Sequence, residues 1–283
     1  MKKSILNLFF SLVSFSIFGM DCSFFQFGNY SACDYFTGSN YFSLAYYNEL
    51  KNIEKVKEID EYNKKVNEEW NSRYFYNSSL LIREETDLHD FHVRVYNYDM
   101  KNNLTSINED DCKFIYKGKN QRKCYANGKF LYQQTIKNQN NIYTLIIENF
   151  NPKINDLSIR EKSVYTYNGK RIQKYDSTSY DRLGEISNIM TFDFQYNADG
   201  NINFITVKGH DFLMETETWN TIVSFEYDKN QNMCKIINDD LKNKKESSIT
   251  EFSDYDDYGN WHIRKIFRNG KLHEETYRKI RYL

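Results

Sequence analysis

From Leu44 to Asn71 the chain reads LAYYNELKNIEKVKEIDEYNKKVNEEWN, without Gly or Pro. Apolar residues return at Leu50, Ile53, Val56, Ile59, Tyr62, Val66 and Trp70. Steps of three and four predict one stripe of an amphipathic helix. Lys and Glu fill the other positions at spacings that permit i,i+4 pairs. Such a helix either packs on its own domain or offers its stripe to a partner. From Arg73 the texture changes. YFYNSSLLIREETD, FHVRVYNYD, KFIYKGKNQRKCYANGKFLYQQTI and NIYTLIIENF are short aromatic or β-branched runs interrupted by Asn, Gly and Asp, the pattern of a hairpin meander. The single proline, Pro152, cannot donate into a central ladder and marks a break between two β portions.

One seven-residue phrase recurs five times: YDMKNNL from Tyr98, YDRLGEI from Tyr180, YNADGNI from Tyr196, YDKNQNM from Tyr227 and YDDYGNW from Tyr255. In FDFQYNADGNI, Phe192, Phe194 and Tyr196 share one face of a strand. The residue after each tyrosine, Asp99, Asp181, Asn197, Asp228 or Asp256, is a natural acceptor for backbone amides two residues on. Gly184, Gly200 and Gly259 tolerate the positive φ that closes a turn. In the last copy Asn260 and Trp261 lead into WHIRKIF, a returning strand. The phrase therefore predicts a strand, turn, strand unit. Copies lie 82, 16, 31 and 28 residues apart, an irregular array rather than a strict solenoid.

These residues resemble the YD-repeat units of RHS-type proteins, and the short bacterial exported proteins that carry a few such units at their carboxyl end. The resemblance covers Tyr165 to Leu283 and, more loosely, Tyr96 to Tyr132, with Gln231, Asn102 and Glu185 departing from the usual glycine or asparagine. It implies a β-hairpin array, which in large members wraps into a hollow shell or presents a surface for glycans or proteins. This chain has too few units for such a shell. The family brings no catalytic residue to transfer.

Composition agrees with β structure. Aromatics are 17% of the chain, against one Pro and 11 Gly. The charge is a formal −1 with both signs dispersed, and no basic face of the kind a nucleic-acid binder shows is evident. At the amino terminus, MKKSILNLFFSLVSFSIFG has two lysines, an apolar run from Ile5 to Phe18 and the small residue Gly19, the form of a secretory signal. That run is shorter than a bilayer span, so no stable membrane span is expected after cleavage. Losing Lys2 and Lys3 leaves 36 basic against 39 acidic residues, a formal −3. Cys22 offers lipid anchoring as a variant, although Asp21 before it departs from the small residue a lipobox wants.

In an oxidising compartment the spacing pairs Cys22 with Cys33 and Cys112 with Cys124 as candidate disulfides, with other connectivities allowed. Cys234 reads as a buried free thiol. His89 and His92 in HDFH would diverge on a strand but could share a metal on a loop. Acidic neighbours such as Asp110 and Asp111, Asp239 and Asp240, or Asp256 and Asp257 read as solvated turns. There is no GxSxG, HExxH, Walker loop or GxGxxG, so no catalytic residue, cofactor or metal is predicted.

The expected fold is mainly β, an irregular array of antiparallel β-hairpins preceded by one amphipathic helix. The expected divisions are a signal peptide over 1–20, an N-terminal segment with the helix over 21–72, and a hairpin-repeat domain over 73–283 that breaks near 152. The expected function is an exported, periplasmic or extracellular, binding protein of the bacterial envelope, with a protein or an envelope glycan as partner. A second class is an antagonist or immunity-type partner of a secreted toxin. A third is a hydrolase whose two carboxylates face each other across a cleft.

Overall fold

A computed structural model of the protein describes residues 53–77, 80–87, 91–100, 104–108, 112–118, 120–151, 154, 156–169, 171–181, 183–212, 217–241 and 247–283. A 3₁₀ turn, Ile53–Lys55, leads into eighteen strands. The first nine are β1 (Val56–Lys65), β2 (Glu68–Asn77), β3 (Leu80–Thr86), β4 (His92–Tyr98), β5 (Leu104–Ile107), β6 (Cys112–Tyr116), β7 (Gln121–Ala126), β8 (Lys129–Gln139) and β9 (Ile142–Asn151). The rest are β10 (Asp156–Asn168), β11 (Arg171–Tyr180), β12 (Ile186–Tyr196), β13 (Ile202–Asp211), β14 (Glu217–Tyr227), β15 (Met233–Asp240), β16 (Ser248–Tyr255), β17 (Trp261–Arg268) and β18 (Lys271–Tyr282).

Each strand pairs antiparallel with the one before and the one after it. The last strand returns to the first, with Val56 opposite Tyr282 and Lys65 opposite Glu274. The sheet is thus a closed up-and-down barrel with no free edge, which removes the aggregation hazard that open edges carry. Because β1 starts at one end, call it the entry end, connections after even-numbered strands lie there. Connections after odd-numbered strands lie at the far end.

The helix expected from Leu44 to Asn71 is corrected over its described part, where β1 and β2 form a hairpin. A bulge between Val56 and Glu58 puts Val56 and Ile59 on the same inner face three residues apart, imitating a helical step. Tyr62 then points outward and Val66 sits in the turn, so the apparent stripe is not one face at all. Residues 44–52 lie outside the described residues, as do the signal peptide, Cys22 and Cys33. Strand β2 runs through positions 72 and 73, and β9 pairs with β10 on either side of Pro152.

Inward side chains are apolar toward the entry end and polar toward the far end. Two apolar clusters line the barrel. One holds Tyr175, Met190, Phe192, Phe194, Ile205, Val223, Phe225, Phe252 and Trp261, and the other Val56, Ile59, Tyr74, Tyr96, Ile107, Phe114, Tyr132 and Ile280. Nearer the far end the buried inward residues are Glu61, Asn63, Ser72, Glu84, Glu161, Ser163, Ser248, Thr250, Arg264 and Thr276. Several of these groups are bonded: Tyr96 donates to Glu84 at 2.8 Å, Ser163 to Glu161 at 2.8 Å, and Arg264 reaches Glu274 at 2.7 Å. Such bonds offset part of the cost of burying polar groups.

The outer wall carries cross-strand ion pairs, among them Lys64 with Glu69, Arg73 with Asp60, Arg281 with Asp60 and Lys265 with Glu275, and a pair along β11, Lys174 with Asp176. A barrel wall in lipid presents the opposite pattern, apolar outside. Among the described residues no helix is long and apolar enough to cross a membrane.

Cys124 is buried and stands opposite Phe114, and Cys112 stands opposite Ala126, which places the two candidate disulfide partners at diagonal positions of the β6–β7 ladder. Cys234 is a free thiol, its pKa raised by burial.

Candidate functional site

In each copy of the phrase the first residue pairs with the seventh: Tyr98 with Leu104, Tyr180 with Ile186, Tyr196 with Ile202, Tyr227 with Met233 and Tyr255 with Trp261. The ladder shifts register just before the tyrosine at Asn97, Ser179, Gln195 and Glu226. In those four copies the extra residue lies on the returning strand, at Thr105, Ser187, Asn203 and Cys234, so a bulge re-aims the strand as it leaves the turn. The last copy keeps its register from Ser253–Ile263 to Tyr255–Trp261, with Asp254 at φ 58°.

The acid then builds the turn. Asp256 Oδ1 accepts from the amides of Tyr258 and Asn260, both at 2.9 Å, and Asp228 Oδ1 accepts from Asn230 and Asn232 at 2.8 Å. Asp181 does the same with Leu183 and Glu185, and Asn197 Oδ1 takes the amide of Asn201. The fifth position has positive φ in all four, with Gly259 at 79° and even Gln231 at 62°. Asn102 and Asn103 of the first copy lie outside the described residues, and Asp99 is exposed.

Four copies follow even-numbered strands and gather at the entry end. The copy at Tyr180, with Asp181 and Gly184, follows β11 and turns at the far end. Spacings of 31 and 28 residues are two strands and return to the same end; 16 residues is one strand and does not.

At the entry end the tyrosines stitch hairpin to hairpin. Tyr98 donates to the carbonyl of Leu81 at 2.7 Å, Tyr227 to that of Ile202 at 3.0 Å, and Tyr255 to that of Met233. The acceptors Ile202 and Met233 are the seventh residues of the preceding copies, so the phrases from Tyr196, Tyr227 and Tyr255 are bonded in series. Burial pushes the pKa values of Tyr98, Tyr196 and Tyr227 well above the ordinary value and keeps these hydroxyls protonated donors. Tyr282 donates to Asp256 and accepts from Asn260 Nδ2 at 2.9 Å, tying the last turn to the last strand.

Trp261 is the hub of that last turn. The Arg278 guanidinium lies 3.4 Å from its ring centroid and Arg264 lies 5.9 Å away, while Arg278 Nε donates to the Trp261 carbonyl at 2.5 Å. Arg264 also reaches Thr276, whose hydroxyl donates to Asn63 on β1 at 2.9 Å, across the closure of the barrel. Sequence reasoning missed these buried arginines, because a charged residue on a strand is expected to face water.

No protein-family model matches the chain, and no curated protein matches it. Among solved structures, it is similar to a porin-like protein from Bacteroides vulgatus ATCC 8482, 10% identical, TM-score 0.45, over 81% of this chain and 98% of that one. A porin-like protein from Bacteroides uniformis ATCC 8492 is 11% identical with TM-score 0.29, over 80% and 98%. The TcdB2-TccC3-TEV structure is 9% identical with TM-score 0.32, over 72% of this chain and 14% of that one. At such identities and scores none of the three bears on what this chain does.

A groove of about 510 Å³ lies on the outer wall, where β18, β1, β2 and β3 run side by side. Two cross-strand rows line it. One is Tyr277, Tyr62 and Asn71, the other Lys279, Asp60, Arg73 and Glu85. The rings of Tyr62 and Tyr277 stack with centroids 6.4 Å apart and are 36% and 40% exposed. Hydrogen bonding to Glu69 raises the Tyr62 pKa, and hydrogen bonding to Glu275 raises that of Tyr277, so each ring is held by a carboxylate. Arg73 is fixed by Asp60 at 2.6 Å, and Asn71 Nδ2 donates to Asp87 at 2.9 Å. Phe91, 68% exposed, stands at one end. The groove thus offers aromatic faces and pre-positioned donors and acceptors. A second cavity, about 520 Å³ at the entry end, is lined by Arg171, Phe194 and Tyr196, with the Arg171 guanidinium over the Tyr196 ring.

His89 lies outside the described residues and His92 opens β4. Among the described residues no three His, Cys, Asp or Glu side chains are grouped to hold a metal.

Proposed function

We propose that the chain is an exported, YD-repeat-like binding protein of the bacterial cell envelope, which holds a glycan chain in the groove across β18, β1, β2 and β3 and performs no chemistry on it. The observation that carries this reading is the pair of exposed, carboxylate-held rings of Tyr62 and Tyr277 set beside the Asp60–Arg73–Glu85 row. Sugar rings stack their C–H faces on aromatic rings, and their hydroxyls need donors and acceptors together. The groove supplies both on a wall of regular strands, which fixes their spacing. The amino-terminal signal pattern supports export, and the phrase supports the repeat resemblance.

Replacing both Tyr62 and Tyr277 by alanine is expected to weaken binding of envelope polysaccharide fragments by about ten-fold or more, at roughly 1–3 kcal/mol for lost ring contacts. The melting temperature should change little, since both rings are at the surface. Calorimetric titration with peptidoglycan fragments and with surface polysaccharide checks it. Equal binding by the double variant, or no binding by the unaltered protein, would contradict the reading.

A further inference from the structure

At the entry end the β10–β11 connection lies beside the turn of the Tyr196 copy. The cavity of about 520 Å³ there is lined by Asn168, Arg171, Gln173, Phe194, Gln195 and Tyr196. Its volume falls within the usual range of small-molecule sites, about 300–1,000 Å³. Among these lining residues Arg171 alone is charged. Its guanidinium is held between a ring and a turn. On one side it lies over Tyr196, 5.4 Å from the ring centroid. On the other, a Cβ at Gly200 would stand 2.0 Å from its Nη2 and 2.9 Å from its Cζ. The fifth position of the phrase accepts other residues at positive φ, as Gln231 at 62° shows. At Gly200, therefore, it is the close approach of Arg171 that excludes a side chain.

The donors of this fixed cation are unspent. Among the described residues no oxygen accepts from the Arg171 side chain, whereas Arg73, Arg83, Arg264 and Arg281 each meet a carboxylate at 2.5–2.7 Å. The acid beside the turn glycine, Asp199, accepts from Gln231 of the next copy instead. Burial keeps the Tyr196 hydroxyl protonated, so the ring under the guanidinium adds no negative charge. A guanidinium in this state presents a planar fork of N–H groups that matches an anion.

We propose that this cavity binds an acidic sugar, with Arg171 gripping the carboxylate of a uronate. The single charge of a carboxylate matches the single cation, and its two oxygens match the fork. Asn168, Gln173 and Gln195 surround the cation with carboxamides, each a donor and an acceptor side by side, which suits the neighbouring hydroxyls of a sugar ring. A peptide end would bring a last side chain as well, and Phe194, 4% exposed, leaves no open apolar pocket to receive one. The site shares no residue with the outer-wall groove and stands whether or not that groove holds a glycan.

The test is calorimetric titration of the full chain at low salt with D-glucuronate, with D-glucose, and with the dipeptide alanylalanine. Glucuronate should bind, and glucose, which carries a hydroxymethyl group in place of the carboxylate, should bind about ten-fold more weakly or worse. Arg171→Gln should cut the glucuronate affinity by about ten-fold or more with little change in melting temperature, the side chain being exposed. Arg171→Lys, which keeps the charge and loses the fork, should fall between the two. The double variant Tyr62→Ala, Tyr277→Ala should bind glucuronate as the unaltered protein does. No binding of glucuronate by the unaltered protein, equal binding of glucose, or an unchanged affinity in Arg171→Gln would overturn the inference. So would binding of alanylalanine in place of glucuronate, which would assign the cavity to a peptide end.

Discussion

Trp261→Ala is expected to destabilise the barrel by about 3–5 kcal/mol, the usual cost of emptying a buried tryptophan site. At 2–4 °C per kcal/mol for a chain of this size, the melting temperature should fall by roughly 10 °C. Trp261 is 2% exposed and packs on Phe252 at 5.5 Å. Its removal leaves a cavity and takes the ring face from Arg278 and Arg264, two buried cations. Trp261→Phe, which keeps a ring under Arg278, should cost clearly less. A melting temperature unchanged in Trp261→Ala would show that the ring is not the hub described.

The barrel should also fail sharply in alkali. Burial raises the pKa values of Tyr98, Tyr165, Tyr196, Tyr227 and Tyr282 above the unfolded value near 10, and pushes Tyr175 up to about 12 through burial and then the charge of Glu161. For a tyrosine, a folded pKa above the unfolded one means that the unfolded chain gives up its proton first. Stability is therefore intact below about pH 10 and is lost as pH rises through the folded values. Several such groups add, so the loss should be steep. Following tyrosinate absorbance and circular dichroism together from about pH 9 upward checks it. Part of the absorbance should lag and appear together with unfolding. A smooth titration at the ordinary tyrosine value with the dichroism unchanged would show that the belt is open to water.

What the sequence makes legible is local. Alternation in FDFQY or VSFEY is enough to call strands, since side chains on a strand change face at every residue. The phrase is readable as a turn because an Asx side chain and a glycine have few other uses between two such runs. The same logic fails at β1, where a bulge and a turn break the alternation in steps that mimic a helix. What lies beyond reach is long-range. Tyr62 and Tyr277 are 215 positions apart and become neighbours only because β18 returns to β1. Neither the groove nor the end to which each phrase copy goes can be read without counting strands.

The Tyr180 copy illustrates that last point. Its acid makes the same turn as the others, yet it follows an odd-numbered strand and so leaves the tyrosine belt. The phrase specifies a hairpin turn; strand parity decides where the turn is used.

The groove exists only if the barrel closes between its first and last strands. Lys64 and Glu275 face each other across that seam on the outer wall. With Lys64→Cys and Glu275→Cys in one chain, mild oxidation followed by peptide mass mapping should yield a linked pair joining positions 64 and 275. The control, Lys64→Cys with Glu69→Cys, crosslinks within the first hairpin and should form whether or not the barrel is closed. A control that links while positions 64 and 275 stay unlinked would mean an open sheet, and the groove across β18, β1, β2 and β3 would be lost with it.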